Sequence, residues 1–377
     1  MKKRFNITGI CYPHKHYMVN LDTRLAQIKD LVDYGDYFVI NRARQYGKTT
    51  TLWALREYLK KDYIVLLLNF QRLSAGCFEN EYVFVKHFLK MIFETLNNKK
   101  TNVTGFAQQS IQELEQILEQ KEHAGFGMME MFSYLNQLCE NADKPIVLMI
   151  DEVDNASNNQ VFLDFLGQLR SCYLDREMTA TFQSVILAGV YDIKNLKHKI
   201  RSEEDHQYNS PWNIAADFNL DMSFSVQDIT GMLQEYETDV QTEMPISEVA
   251  EQIYNYTSGY PFLVSRICML LDEKKDKAAW SAHGVSDVVK EILKEHNTLF
   301  DDMQKKLTDY PELKSMFYAI LFNGSVFLYN IDNQMIQLAT LFGYIKEENG
   351  RVAITNRIFE TRLYNLFIAQ DGCLERG

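Results

Sequence analysis

Gly47-Lys48-Thr49 stands directly behind the apolar run Tyr37-Phe38-Val39-Ile40 and opens a patterned segment that reaches Leu59. A buried strand, a short basic loop and a helix joined in this way predict a phosphate-binding loop. The glycine lets the backbone approach a phosphate, and the first N–H groups of the helix lack intrahelical partners and face the anion. Lys48 is placed to reach the β- and γ-phosphates of a nucleotide, and the Thr49 hydroxyl to ligate Mg²⁺. The string departs from G-x-x-x-x-G-K-[ST] at its first position, where the chain has Arg42. The tripeptide alone is common, so its place between a strand and a helix carries the weight, together with a second motif further on.

That second motif is Ile146-Val147-Leu148-Met149-Ile150-Asp151-Glu152, which follows Pro145. Five consecutive apolar residues suit a strand buried on both faces of a parallel sheet. It ends in two carboxylates, at the strand end where open α/β sheets bind ligands. Asp151 is placed to hold Mg²⁺, directly or through water, and Glu152 to polarise the water that attacks a γ-phosphate. The alternative is that Asp151-Glu152 caps the next helix.

With 377 residues the chain exceeds one ordinary domain, and 46% hydrophobic with 12% aromatic residues excludes a disordered polymer. A formal net charge of −12 argues against whole-surface attraction to nucleic acid or anionic lipid. The six cysteines form no C-x-x-C pair, the basic start Met1-Lys2-Lys3-Arg4-Phe5 runs into Asn6-Ile7-Thr8-Gly9 without an apolar core, and no stretch reaches the ~18 apolar residues of a membrane span. A cytoplasmic protein with reduced thiols and no membrane partner is expected. Cys11, His14 and His16 match no zinc spacing, and a lead-in segment folding over a nucleotide base is the favoured role for that region.

Strand periodicity predicts β structure at Tyr37–Asn41, Tyr63–Phe70, Ile146–Asp151, Ser184–Val190 and Phe218–Met222. Helices are expected from Asp22 towards Gly35, in three stretches between Asn80 and Cys139, and over Gln160–Glu177. Strands alternating with helices indicate a parallel sheet covered on both faces. After Ser225 the pattern is helical, over Val226–Tyr236, Ile246–Thr257, Pro261–Asp272 and Val285–Leu307. The last part predicts a helix (Glu312–Phe322), a short strand (Val326–Tyr329), a helix (Asp332–Phe342), a hairpin turning at Asn349-Gly350 and a final helix (Arg357–Ile368). Helices followed by a two-stranded wing suggest a winged-helix unit, and glutamates at its tip, Glu347 and Glu348, favour an intramolecular or protein-facing role over a DNA reader. The expected domains are a core with its lead-in (1–224), a helical lid (225–309) and a winged-helix-like domain (310–377).

The string Asn41-Arg42-Ala43-Arg44-Gln45-Tyr46-Gly47-Lys48-Thr49 resembles the AAA-ATPase-like group of bacterial P-loop proteins, in which arginine replaces the first glycine within N-R-x-R-x-[FY]-G-K-[ST]. Thr257-Ser258-Gly259-Tyr260-Pro261-Phe262-Leu263-Val264 is similar to the G-x-P signature of the STAND and origin-recognition branches of AAA+ relatives. The resemblance spans Cys11 to about Phe367. It implies an α/β fold, a P-loop NTPase three-layer sheet of order 5-1-4-3-2 with a helical lid and a winged helix, and ATP with Mg²⁺ as ligands. By the same likeness Lys48, Thr49, Asp151 and Glu152 carry over, with Thr49 and Asp151 holding Mg²⁺, Lys48 and Glu152 catalytic and Pro261 near adenine; Arg42, Arg44, Gln45, Tyr46, Gly47 and Thr50 are the further candidates for nucleotide contact in the same loop.

Departures from the group's pattern set further expectations. The end of strand four carries Ala188-Gly189 where such ATPases have a polar sensor residue, leaving Tyr191, Asp192 or Asn195 as substitutes. Arg170, Arg201 and Arg266 are candidate arginine fingers, with surface solvation as the alternative for each. Arg42 and Arg44 either pair with phosphate oxygens or brace the loop against an acidic neighbour such as Asp154. Two function classes follow. One is a slow Mg²⁺-dependent ATPase acting as a nucleotide-controlled switch on an unidentified protein partner, with oligomerisation left open. The other is a non-hydrolysing ATP-binding protein, or a module whose winged helix contacts DNA.

Overall fold

The computed structural model describes residues 2–98, 103–106, 108–119, 126–190 and 212–374, with side chains to residue 370. The chain divides into two compact units, one of Leu21–Asn41 with Thr51–Leu220, the other of Met1–Asn20, Arg42–Thr50 and Asp221–Gly377.

In the first of these, four parallel strands form one sheet in the order β1-β4-β3-β2: β1 (Phe38–Asn41), β2 (Ile64–Asn69), β3 (Ile146–Asp151) and β4 (Ser184–Gly189). Every residue of β3 and β4 is buried, as their unbroken apolar runs require of strands covered on both faces. The cover comes from α1 (Asp22–Asp33), α2 (Lys48–Leu59, whose first turn belongs to the other unit), α3 (Glu81–Leu96), α4 (Gln108–Glu119), α5 (Met128–Glu140) and α6 (Gln160–Leu174). Aromatic rings fill much of this core: Phe165 lies 5.0 Å from Phe88 and 5.4 Å from Phe84, and Phe162 lies 6.1 Å from Phe70. Such ring pairs add ~0.5–1.5 kcal/mol each beyond area burial. Asn80 starts α3 by accepting the Val83 N–H at 3.0 Å.

The expected fifth strand at Phe218–Met222 does not form. Ala216 instead makes one parallel bridge to Phe38, its N–H donating to the Tyr37 carbonyl at 2.8 Å, and Phe218 stacks on Phe38 at 5.8 Å. The expected order 5-1-4-3-2 is therefore present as four strands with a single bridge on the outer edge of β1. Asp217, Asn219 and Asp221 alternate with the apolar residues here, and these types disfavour extended pairing.

The other unit carries α7 (Val226–Val240), α8 (Ile246–Thr257), α9 (Pro261–Glu273), α10 (Ala282–Ile292), α11 (Thr298–Asp309), α12 (Pro311–Phe322), α13 (Gln334–Leu341), the antiparallel hairpin β5 (Ile345–Glu348) and β6 (Arg351–Ile354), and α14 (Arg357–Leu374). The single helix expected over Val285–Leu307 is two, because Asn297 accepts the Phe300 N–H at 3.0 Å and begins α11. The short strand expected at Val326–Tyr329 is reduced to one antiparallel bridge, Leu328 to Arg351. The hairpin turns as its Asn-Gly pair predicts, with φ of 53° at Asn349 and 75° at Gly350. The N-terminal segment is held by its aromatics: Phe5 lies 5.1 Å from Tyr17 and 5.2 Å from Tyr236, and the Tyr17 hydroxyl donates to Asp239 at 2.9 Å. Among the described residues no helix is long and apolar enough to cross a membrane.

One turn in this unit admits only glycine. Gly259 has φ of +72°, and a Cβ on it would lie 2.0 Å from the Phe224 carbonyl oxygen, while its own carbonyl accepts the Phe224 N–H at 2.8 Å. Gly259→Ala should cost more than about 2 kcal/mol of folding stability, combining backbone strain with a clash against main chain that cannot rotate away. Urea denaturation of the variant measures this, and an unchanged midpoint would refute the steric account.

Candidate functional site

The loop from Arg42 to Gly47 leads out of β1 and into α2, which begins at Lys48. Gln45 has φ of +57° and Gly47 φ of +80°. Left-handed residues alternating with ordinary ones aim successive N–H groups towards one side, the basis of an anion-binding concavity. Among the described residues, its two chain neighbours aside, no atom lies within 4 Å of where a Gly47 Cβ would stand, so the backbone is open there. Lys48 is buried, and its Nζ donates to the Arg42 carbonyl at 2.8 Å and the Ala43 carbonyl at 2.9 Å. An ammonium needs such acceptors once removed from water.

Neighbouring parts of the same unit hold the loop side chains. The Arg44 guanidinium lies 3.5 Å from the Asp302 carboxylate, which also accepts from the Tyr344 hydroxyl at 3.4 Å. Gln45 Nε2 donates to the Thr298 hydroxyl at 2.8 Å. Tyr46 packs edge-on against Tyr260 at 4.7 Å, and the Tyr260 hydroxyl donates to the Arg44 carbonyl at 2.6 Å. The Thr50 hydroxyl accepts the Cys11 N–H at 3.1 Å, which ties the lead-in segment to the start of α2. Burial lowers the Arg42 pKa from its ordinary value, opposed by Tyr46 and Asp221, and an arginine remains cationic throughout.

The eight expected residues, Arg42 and Arg44 to Thr50, follow one another along the loop after β1 and the first turn of α2. Pro261 opens α9 one residue after Tyr260. The acidic partner of Arg44 is Asp302, not the Asp154 considered from sequence. Tyr260, Thr298 and Asp302 escaped the sequence reading of the site, although Tyr260 stands inside the Gly259-Tyr260-Pro261 string that marked this region.

In the sheet unit, Asp151 is buried at the carboxyl end of β3, in register with Asn69 of β2. Its Oδ1 accepts the Glu152 N–H at 3.0 Å. Glu152 adopts φ of 56° and ψ of 41°, a left-handed conformation that costs a non-glycine residue ~1–2 kcal/mol and concentrates at functional sites. Glu152 precedes a short 3₁₀ turn (Val153–Asn155) without a side-chain capping bond, and α6 is preceded by Asn159. The helix-cap alternative for this pair therefore finds no capping hydrogen bond from the Glu152 side chain.

The end of β4 has a steric reason to lack a polar side chain. A Cβ on Gly189 would lie 2.8 Å from Asp154 Oδ1 and 2.9 Å from Val153 Cγ2, and Asp154 Oδ2 accepts the Val190 N–H at 2.7 Å. The Asp154 carboxylate occupies the space that a longer residue at 189 would need. Tyr191, Asp192, Asn195 and Arg201 lie outside the described residues. Arg266 forms a two-pronged ion pair with Glu295, at 2.6 and 3.1 Å, and this holds its guanidinium within the unit. Arg170 is half-buried on α6, and among the described residues its buried Nε has no hydrogen-bond partner.

The sheet, the strand-loop-helix passage through Lys48 and the acidic end of β3 define a P-loop ATPase-like α/β fold. The chain belongs to the AAA-like domain family, whose sequence profile matches residues 14–367. It is similar in structure to a Walker-type ATPase of Pyrococcus abyssi, with 14% identity over 96% of this chain and 99% of that one and a TM-score of 0.62. Weaker likenesses are the ORC2 protein of Aeropyrum pernix (12% identity, 93% of each chain, TM-score 0.47) and Cdc6p of Pyrobaculum aerophilum (13% identity, 97% of each chain, TM-score 0.43). No curated protein matches the chain significantly.

The Asp154 tie gives a testable consequence for the turn after β3. Asp154→Ala leaves the Val190 N–H without its carboxylate and should cost about 1–3 kcal/mol of stability. Gly189→Ala, which drives the same carboxylate away, should cost a similar amount, and the double variant less than the sum of the two. Chemical denaturation of the three variants reads this coupling, and strictly additive losses would show that Asp154 and Gly189 act separately.

Proposed function

We propose that this chain binds ATP with Mg²⁺ and hydrolyses it slowly, serving as a nucleotide-controlled switch in the cytoplasm. The observation that carries the proposal is the Gly47-Lys48 turn, where a buried ammonium and left-handed backbone at Gln45 and Gly47 open a helix at the end of a strand in a P-loop fold. Its donor set is main-chain N–H groups, a cation and two hydroxyls, which suits a multiply charged phosphate and offers little to a neutral ligand.

Lys48 would exchange the Arg42 and Ala43 carbonyls for β- and γ-phosphate oxygens, and Thr49 and Asp151 would hold the metal. Mg²⁺ supplies charge compensation to the phosphate oxygens when bound. Glu152 would orient and deprotonate the attacking water. Slow turnover is supported by the end of β4, where Gly189 and the Asp154 carboxylate stand in place of a polar strand residue. The same feature supports a second reading, in which the protein holds ATP without useful hydrolysis.

Residues 225–309 would act as a lid and 310–377 as a winged-helix-like relay to a protein partner, either alone or in an oligomer. The hairpin after α13 and the bridge from Leu328 support the winged form. The exposed Glu347 and Glu348 beside its turn disfavour a phosphate backbone as partner. Free thiols at Cys11, Cys77, Cys139, Cys172 and Cys268 accord with a reducing compartment.

Two substitutions separate binding from chemistry. Lys48→Ala should weaken Mg-ATP binding about tenfold or more, since a charge-assisted contact contributes roughly 1.5–3 kcal/mol. Calorimetry showing unchanged affinity would end the phosphate-loop assignment. Glu152→Gln keeps the shape of the side chain but cannot take a proton, so it should bind ATP normally and turn over about a hundredfold more slowly. A wild-type protein that binds ATP but shows no phosphate release above background would favour the non-hydrolysing reading.

A further inference from the structure

We propose that Tyr260 is a positioning residue for the phosphate loop, setting the Gln45 N–H for phosphate and joining the loop to the hairpin and final helix; this rests on the ATP-binding reading above. Tyr260 is almost wholly buried, and its hydroxyl donates to the Arg44 carbonyl at 2.6 Å. In a trans peptide the carbonyl and the following N–H point in opposite directions. Holding the Arg44 oxygen on Tyr260 therefore points the Gln45 N–H away from Tyr260, along the opposite edge of the peptide. Gln45 has the positive φ that such a turn demands, and a non-glycine residue keeps it only when its surroundings impose it. The Tyr260 hydroxyl and the 2.8 Å bond from Gln45 to Thr298 are two such restraints.

The same ring faces two ways. Tyr46 of the loop packs edge-on against it at 4.7 Å, and Phe359 of α14 does so at 5.3 Å. Gly343, at the entrance to the hairpin, lies close against the loop: a Cβ there would stand 2.7 Å from the Ala43 Cβ, and in ordinary contact, at 3.6 Å, with Tyr260 Cε2. The Arg44–Gln45 peptide is thereby coupled, through the Tyr260 hydroxyl and ring, to Phe359 of α14. Burial raises the Tyr260 pKa well above its ordinary value, reinforced by Tyr46, Tyr344 and Asp302, so the hydroxyl stays a donor at any working pH.

Tyr260→Phe removes one oxygen and leaves the ring packing intact. Calorimetry should show about tenfold weaker binding of both Mg-ATP and inorganic tripolyphosphate, the loss expected when one loop hydrogen bond no longer aims an N–H at the anion. Because Tyr260 acts through the loop, the further loss on adding Tyr260→Phe to Lys48→Ala should be smaller than in the wild-type background. Amide exchange at Gln45 should quicken in the variant without nucleotide, and Mg-ATP should slow exchange across 343–359 less than it does in the wild type. If Tyr260→Phe lowers the thermal midpoint while both affinities stay unchanged, the hydroxyl is only structural and the proposal falls. If the wild-type protein binds neither probe, the ATP-binding reading fails instead. Should Tyr260→Phe fail to fold, Thr298→Val is read in the same assay: it removes the other restraint on Gln45 and should weaken both probes about threefold, and unchanged affinity would overturn the proposal.

Discussion

A parallel sheet buried on both faces leaves its strands nowhere to display a polar side chain except at their ends, and the placement of chemistry in this protein follows from that. All six residues of β3 and all six of β4 are buried. Polar groups emerge where the ladder stops: Asn41 of β1 faces Gly189 of β4, and Asn69 of β2 faces Asp151 of β3. The register that packs Val, Leu and Ile into continuous layers therefore also brings the carboxylate of β3 and the amides of its neighbours to one edge. Glu152, one step beyond, takes a left-handed backbone because the chain must leave the sheet at once.

The loop from Arg42 to Gly47 faces a different problem. It must keep a cation and a set of inward N–H groups in a short turn that contains arginine where glycine would relax it. Lys48 meets the first demand by bonding to two loop carbonyls. The second is met from outside the loop, by Tyr260, Thr298 and Asp302, three residues of the helical unit that hold successive parts of it. The side chains of Arg44, Gln45 and Tyr46 are the means by which the turn is fastened. A loop built this way exchanges intrinsic flexibility for dependence on the helices that brace it.

Much of the architecture was legible in the residue pattern. Unbroken apolar runs marked four buried strands, and Gly-Lys-Thr and Asp-Glu marked the ends where the chain leaves two of them. The misreadings share a cause. At Phe218–Met222 and Val326–Tyr329 a short alternating stretch has strand periodicity, yet the first makes no bridge, the nearest being at Ala216, and the second makes one, at Leu328. Pairing at an edge depends on what the neighbouring backbone offers, and periodicity does not report that. Between Val285 and Leu307 the apolar spacing runs through Asn297, but the local hydrogen bond of its side chain to Phe300 is strong enough to start a new helix.

By itself the sequence determined the class of fold and the chemical character of the loop, because both depend on contacts among residues close along the chain or on burial patterns of period two and 3.6. Only the tertiary structure decided what holds that loop. The bond from Tyr260 to Arg44 joins residues 216 positions apart, and that from Gln45 to Thr298 spans 253. A hydroxyl in a helical segment carries no local mark of the carbonyl it will meet, since the meeting is set by the path of the whole intervening chain. The space beside Gly189 is likewise a property of the folded turn, taken up by a carboxylate from another strand's exit. Local pattern specifies the parts, and packing specifies which parts restrain one another.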